Sequence, residues 1–118
     1  MIQWTQIQDG AELGVLFGDP DLPGASFTIR FRTSREIRVA PHWHPEDECV
    51  TVLDGPFALG FGEVFDAVRL TQLESGAFFC ITRSTRHFAL YSAGTVIQVS
   101  GFGPFKSIYV DPAGNYFG

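Results

Sequence analysis

Turn-forming residues punctuate this chain about every ten positions, a spacing that admits short strands and leaves no room for helices of ordinary length. Gly18, Pro20, Pro23 and Gly24 crowd one loop, and Asp54-Gly55-Pro56, Glu74-Ser75-Gly76, Ser92-Ala93-Gly94 and Gly101 to Pro104 mark four more. The segments between them read as strands. Residues 4–16 give one or two short strands broken at Gly10 and Gly14. Phe27, Ile29 and Phe31 alternate with Thr28, Arg30 and Arg32, the period of two of a half-buried strand. Phe57, Leu59 and Phe61 repeat that alternation. Residues 77–82, 87–91 and 95–100 are compact apolar or β-branched runs, and residues 106–110 form a short edge strand before a loose tail over 111–118. Residues 63–73 read either as a short helical turn or as an irregular strand pair. No segment carries a helical apolar stripe, so roughly eight to ten short strands predict an all-β sandwich or small barrel.

At 118 residues the chain is one domain, 1–118, with a single core. Twelve Phe predict an interior built largely of aromatic rings. A net charge of −5 without a run of Lys or Arg argues against nucleic acid as a partner, because phosphate binding needs clustered cations. No apolar stretch reaches the ~20 residues of a membrane-spanning helix, and Met1-Ile2-Gln3-Trp4 does not open a signal peptide. The expectation is a cytoplasmic protein with no membrane partner. Two cysteines, Cys49 and Cys80, make no disulfide framework. Cys49 reads as a packed thiol, and Cys80 as either core or pocket wall.

The chemistry concentrates in Pro41-His42-Trp43-His44-Pro45-Glu46-Asp47-Glu48, which runs on into the β-branched Val50-Thr51-Val52. On a strand, His42 and His44 point to the same face, and Glu48 shares their parity. His87 is the one other histidine of the chain and supplies the remaining ligand arm. Three imidazoles and a carboxylate suit one divalent transition metal, Fe, Mn, Zn, Ni, Co or Cu, and leave positions open for water or a small-molecule ligand. The metal set read from spacing is therefore His42, His44, Glu48 and His87. Glu46 and Asp47 lie in the intervening turn and read as solvent-facing acids.

By the same parity Val50 and Val52 continue the first ligand face, and Ala89 and Tyr91 the second. The Tyr91 phenol is the candidate catalytic group, able to meet a metal-bound water or substrate, with a core ring as the alternative. Gln98, isolated among Val96, Ile97 and Val99, needs a polar partner that the site could supply. Arg30, Arg32, Arg83 and Arg86 are candidates to clamp a carboxylate ligand at the barrel mouth, with surface solvation as the alternative. Trp43 faces the other side of its sheet.

These residues resemble the two motifs of the cupin superfamily. The first motif, His-x-His, three residues, Glu, six residues, Gly, is matched by His42, His44, Glu48 and Gly55, with Glu36 where the motif opens on Gly. The second is matched by Gly76 and His87, with Thr82, Ser84 and Tyr91 at its Pro, Gly and Asn positions. Thr51 to Gly55, Leu59 to Asp66 and Gly101 to Pro104 are similar to small stand-alone cupins. The resemblance implies a cupin-type double-stranded β-helix, a jelly-roll barrel, and a metal held by the four residues already named. The open sheet edges and exposed aromatics of such a barrel imply a homodimer. Two classes of function follow. One is an enzyme, either a dioxygenase or a lyase or isomerase with the metal as Lewis acid. The other is a non-catalytic metal-dependent binding or sensing module.

Overall fold

The computed structural model describes residues 1–113, so most of the tail over 111–118 lies outside the described residues. β1 (Trp4–Gln8) and β2 (Ala11–Gly18) form a hairpin. Its turn uses Gly10 at a φ of 81°, a left-handed conformation that glycine adopts without steric cost. Gly14 does not break β2. It pairs with Trp4 on one side and Arg30 on the other, and the missing side chain leaves room for Ile2 and Trp4. β3 (Ser26–Thr33), β4 (Ile37–Trp43), β5 (Glu48–Asp54) and β6 (Phe57–Phe61) follow. The ambiguous stretch resolves into a 3₁₀ turn, Ala67–Arg69, capped by the Asp66 carboxylate, and β7 (Thr71–Leu73). β8 (Phe78–Ile81), β9 (His87–Tyr91), β10 (Val96–Phe102) and β11 (Ile108–Tyr109) complete the chain.

The strands build two antiparallel sheets, β1-β2-β3-β10-β5-β8 and β11-β4-β9-β6-β7, packed face to face as a jelly-roll sandwich. Alternation decides which side chains enter. Phe27 and Ile29 of β3, Val50 and Val52 of β5, Phe57 and Leu59 of β6, Ala89 of β9 and Ile97 and Val99 of β10 are buried together between the sheets.

The core is more aliphatic than the Phe count predicts. Phe27, Phe57 and Phe88 are buried, whereas Phe17, Phe61, Phe78 and Phe102 are more than half exposed. Phe88, at 0% exposure, lies outside the inter-sheet core. It points away from inward-facing His87 and Ala89, packs on Phe65 with ring centres 5.0 Å apart, and fits because its cross-strand partner Gly60 has no side chain to meet it.

Cys49 is not a free packed thiol. It stands directly opposite Cys80 in the β5–β8 ladder, and the two form a disulfide. Both lie between inward-facing neighbours, Glu48 and Val50 on β5 and Phe79 and Ile81 on β8, so the bridge is on the outer face of its sheet.

Candidate metal centre

β4 ends at Trp43 and β5 begins at Glu48. The turn between them carries the chain from the five-stranded sheet to the six-stranded one. His42 therefore projects inward from one sheet and Glu48 from the other, with His44 between them. His87 opens β9 and pairs with His42 in the ladder. All four side chains are buried. Asp47 ties this turn down, its Oδ1 accepting the Arg83 backbone N–H at 2.7 Å, while the Ser84 N–H donates to the His44 carbonyl at 3.0 Å. Asp47 is exposed, as expected of a solvent-facing acid, and its hydrogen bond to Arg83 is an addition to that reading.

The coordinating atoms of His42, His44 and His87 lie within 4.8 Å of one another. Each ring is oriented by a backbone carbonyl. His42 Nδ1 donates to Ala40 O at 2.8 Å, His44 Nδ1 to Lys106 O at 2.9 Å, and His87 Nδ1 to Thr85 O at 2.9 Å. A carbonyl only accepts, so the proton is on Nδ1 in all three; His42 and His87 turn an unprotonated Nε2 to the centre, whereas His44 Nε2 faces the Glu48 carboxylate and frees its lone pair on giving up the proton held between them. Glu48 Oε1 sits 3.2 Å from His44 Nε2, and Oε2 is buried without a hydrogen-bond partner among the described residues. Three clustered ring nitrogens fit a cation; Glu48 stands against His44, outside the group of three whose atoms all lie within 4.8 Å, and its buried, orphaned Oε2 is free to reach an ion there.

Protonation follows the same geometry. Burial, aided by the His87 charge, lowers the His42 pKa to about 3. Burial also lowers His87. For His44 burial pulls downward, but the hydrogen bond and charge of Glu48 outweigh it and raise the pKa. In the metal-free chain the unfolded state thus takes up protons on His42 and His87 near pH 6.5, while the folded state resists. Folding stability is expected to fall as pH drops from 6.5 toward 3, by up to roughly 1.4 kcal/mol per pH unit from His42, with His87 acting in the same direction. His44 contributes the opposite sign, stabilising below 6.5 and losing that contribution above it. Urea unfolding of chelator-treated protein at pH 7, 6 and 5 checks the sign; an unchanged midpoint refutes it.

The cluster opens on a cavity of about 280 Å³ between the sheets. Val50, Ala89 and Tyr91 line it as parity predicted, together with Phe31, Phe79 and Phe105. Burial, with Glu48 and Tyr109 adding to it, raises the Tyr91 pKa far above its ordinary value. Tyr91 is a neutral phenol that can donate a hydrogen bond and cannot serve as a base. Tyr109, half-buried on β11, also faces the cavity and stacks near His42 at 5.6 Å. Sequence reasoning left it in an edge strand, where no spacing signal connects it to the histidines.

Two expectations need correction, and a third observation bears a motif position out. Gln98 is not a site residue: it lies on the outer face, accepting from Arg30 Nε at 2.9 Å. Nor is there an arginine clamp. Arg30 is engaged there, Arg32 pairs with Glu12 at 2.8 Å over the Trp4 ring, and Arg86 covers Trp43; neither these nor Arg83 lines the cavity. Finally, Ser84, which occupies a glycine position of the cupin motif, has a φ of 66°. A side chain in this left-handed region is strained. Ser84→Gly is expected to stabilise the fold by about 0.5–1 kcal/mol, read as a rise in the denaturation midpoint; a fall refutes it.

No family model matches the chain, and no curated protein matches it in sequence. Solved structures match its fold. The polyketide cyclase RemF from Streptomyces resistomycificus aligns at a TM-score of 0.73 and 17% identity, over 97% of this chain and 83% of that one. An RmlC-like cupin from Shewanella frigidimarina NCIMB 400 aligns at 0.69 and 14%, over 86% and 83%. Salicylate 1,2-dioxygenase from Pseudoaminobacter salicylatoxidans, solved with gentisate, aligns at 0.65 and 14%, over 84% of this chain and 26% of that one. At these identities the likeness is one of fold. The chain has the cupin fold.

Proposed function

We propose that this chain is a mononuclear metalloprotein in which His42, His44, Glu48 and His87 hold one divalent transition ion, Fe, Mn, Zn, Ni, Co or Cu, facing a cavity for a small-molecule ligand, and that its reaction is of the dioxygenase type. One observation carries the reading: the ring nitrogens of His42, His44 and His87 cluster within 4.8 Å of one another at a cavity, with the buried Glu48 carboxylate against His44 and its Oε2 orphaned. Bound there, such an ion supplies coordination sites on which a chelating substrate and O₂ can meet, or a Lewis acid that polarises a carbonyl.

The residues around it favour the first chemistry. They orient the ligand rings, exclude water and offer neutral donors, the Tyr91 phenol among them. Apart from the proposed ligands and Tyr109, the lining supplies no other group suited to carry a proton to or from a substrate. A lyase or isomerase needs such a carrier more than a dioxygenase does. The same scarcity supports a second reading, a non-catalytic metal-dependent binding or sensing module. The match to a gentisate-bound dioxygenase is consistent with a small-molecule ligand.

Elemental analysis of protein purified without tag or chelator, followed by anaerobic iron reconstitution and an oxygen-uptake screen, separates these readings. Iron near one per chain with substrate-dependent uptake supports the dioxygenase. Zinc, nickel or manganese without oxygen chemistry moves the reading to a Lewis-acid enzyme or a binding module. Absence of any metal overturns the site.

A homodimer and a cytoplasmic location belong to the same proposal. Phe17, Phe78 and Phe102 are exposed on β2, β8 and β10, and β1 and β8 leave open edges on the same sheet; both features are covered by a second subunit in assemblies of this kind. Light scattering giving the mass of one chain refutes the dimer. Among the described residues no helix is long and apolar enough to cross a membrane.

A further inference from the structure

The cavity wall carries no cation. The chain has eight Lys and Arg, and none lines the cavity. Several are committed elsewhere: Arg30 to Gln98, Arg32 to Glu12, Arg38 over Phe65 and Arg86 over Trp43. Lys106 lies between the lining residues Phe105 and Ser107 and gives the site only its backbone carbonyl. Beyond the histidines and Glu48, the wall is mainly aliphatic and aromatic. Its other polar members, Gln8, Thr33, Tyr91, Ser107 and Tyr109, are neutral, and the Thr33 hydroxyl is already donated to Ser92 O at 2.8 Å.

An ionised group placed against such a wall loses its water and gains no charged partner. The volume, about 280 Å³, lies just under the range of roughly 300–1,000 Å³ usual for drug-sized ligands. Charge at the metal end sets a further limit. A dication beside the Glu48 carboxylate leaves one positive charge, which a single oxygen anion cancels; a second anionic group on the ligand leaves an excess charge with nothing to pair it.

Building on the metal site proposed above, we infer that the cavity takes a small ligand that is uncharged in solution, chelates the ion through two oxygens, and is apolar or aromatic over the rest of its surface. One of the oxygens gives up its proton to solvent on binding. Molecules bearing a carboxylate away from the chelating pair are excluded, which replaces the carboxylate ligand expected from the arginines.

The test compares 1-phenyl-1,3-butanedione with its analogue carrying a carboxylate at the para position of the ring, by titration calorimetry on zinc-loaded and on metal-free protein, with zinc content measured in the same samples. Zinc-loaded protein is expected to bind the neutral diketone about a hundredfold more tightly than the carboxylated one. A preference below tenfold, or no binding of the neutral diketone with zinc at one per chain, overturns the inference. If zinc is not held, the metal-site reading fails on that count, and the metal-free titrations judge the cavity alone: absence of binding or of preference overturns it. Leu13→Arg, placing a guanidinium at a partly exposed position of the wall, is expected to narrow the preference at least tenfold while the neutral diketone still binds. An unchanged preference in a folded variant overturns the inference, and should the variant misfold, the wild-type comparison decides.

Discussion

Replacing His87 with alanine is expected to strip the chain of most of its metal while leaving a folded sandwich. The ring contributes one of three converging Nε2 atoms, and its own orientation is set by Thr85 O, so its loss removes a ligand that no neighbour can replace. Loss of a group that only orients a ligand costs about 10–100-fold in metal affinity, and loss of the ligand itself costs more. The fold survives because His87 adjoins the cavity and stays neutral there. Removing it enlarges an existing space and leaves no charge unpaired. His44→Ala should lose metal equally, and it also deprives Glu48 of its one close partner, so its metal-free form should be the less stable of the two. Elemental analysis and circular dichroism on both variants check this. Full stoichiometric metal in either sinks the ligand assignment.

Parity brought His42, His44 and His87 to one cluster with Glu48 beside it. One parity runs from His42 and His44 to Glu48 across the turn at Glu46 and Asp47. In the structure Pro45, Glu46 and Asp47 turn the chain from one sheet to the other, and Glu48 opens a new strand. Both strands present this side to the same interior, so parity carried across the turn. The alternating strands were legible for an equally physical reason: in a two-layer sandwich each strand has one dry face and one wet face, and a period of two records which is which.

Contacts set by strand order were not legible. Cys49 and Cys80 are 31 positions apart, and nothing local says that β5 and β8 are neighbours. Gln98 and Arg30 meet because β3 and β10 are adjacent, which turned a suspected site residue into half of an outer-face pair. The Phe count misled for a related reason. Composition cannot tell an inward strand position from an outward one, and Phe78 and Phe102 fall on outward ones. Ser84 is the opposite case: the motif comparison marked it as standing at a glycine position, and the left-handed backbone there shows why glycine suits it.

Breaking the Cys49–Cys80 bridge is the other change with a large expected effect. The bridge closes a loop of 31 residues, and the loop-entropy model assigns such a closure about 3–4 kcal/mol of stability through the unfolded chain. Its position adds a local consequence. β8 is an edge strand, held by hydrogen bonds to β5 alone, and it carries Phe79 and Ile81 into the cavity wall; β5 begins at Glu48. Without the bridge this edge frays more easily, and fraying loosens the wall and the carboxylate together. The Cys49→Ser, Cys80→Ser double variant and dithiothreitol-treated wild type should therefore unfold at similar denaturant concentrations, both well below the oxidised wild type. Metal should recover part of the loss by binding the folded state alone. Agreement of the double variant with oxidised wild type to within about 0.5 kcal/mol, against the several expected, would show that the bridge contributes nothing. The same thiols bear on where the protein works, since a disulfide of this kind persists in oxidising compartments and is reduced in most cytosols. Thiol trapping in intact cells should find the pair reduced if the cytoplasmic proposal holds, and the stability measured on reduced protein is then the one that governs the molecule in its working state.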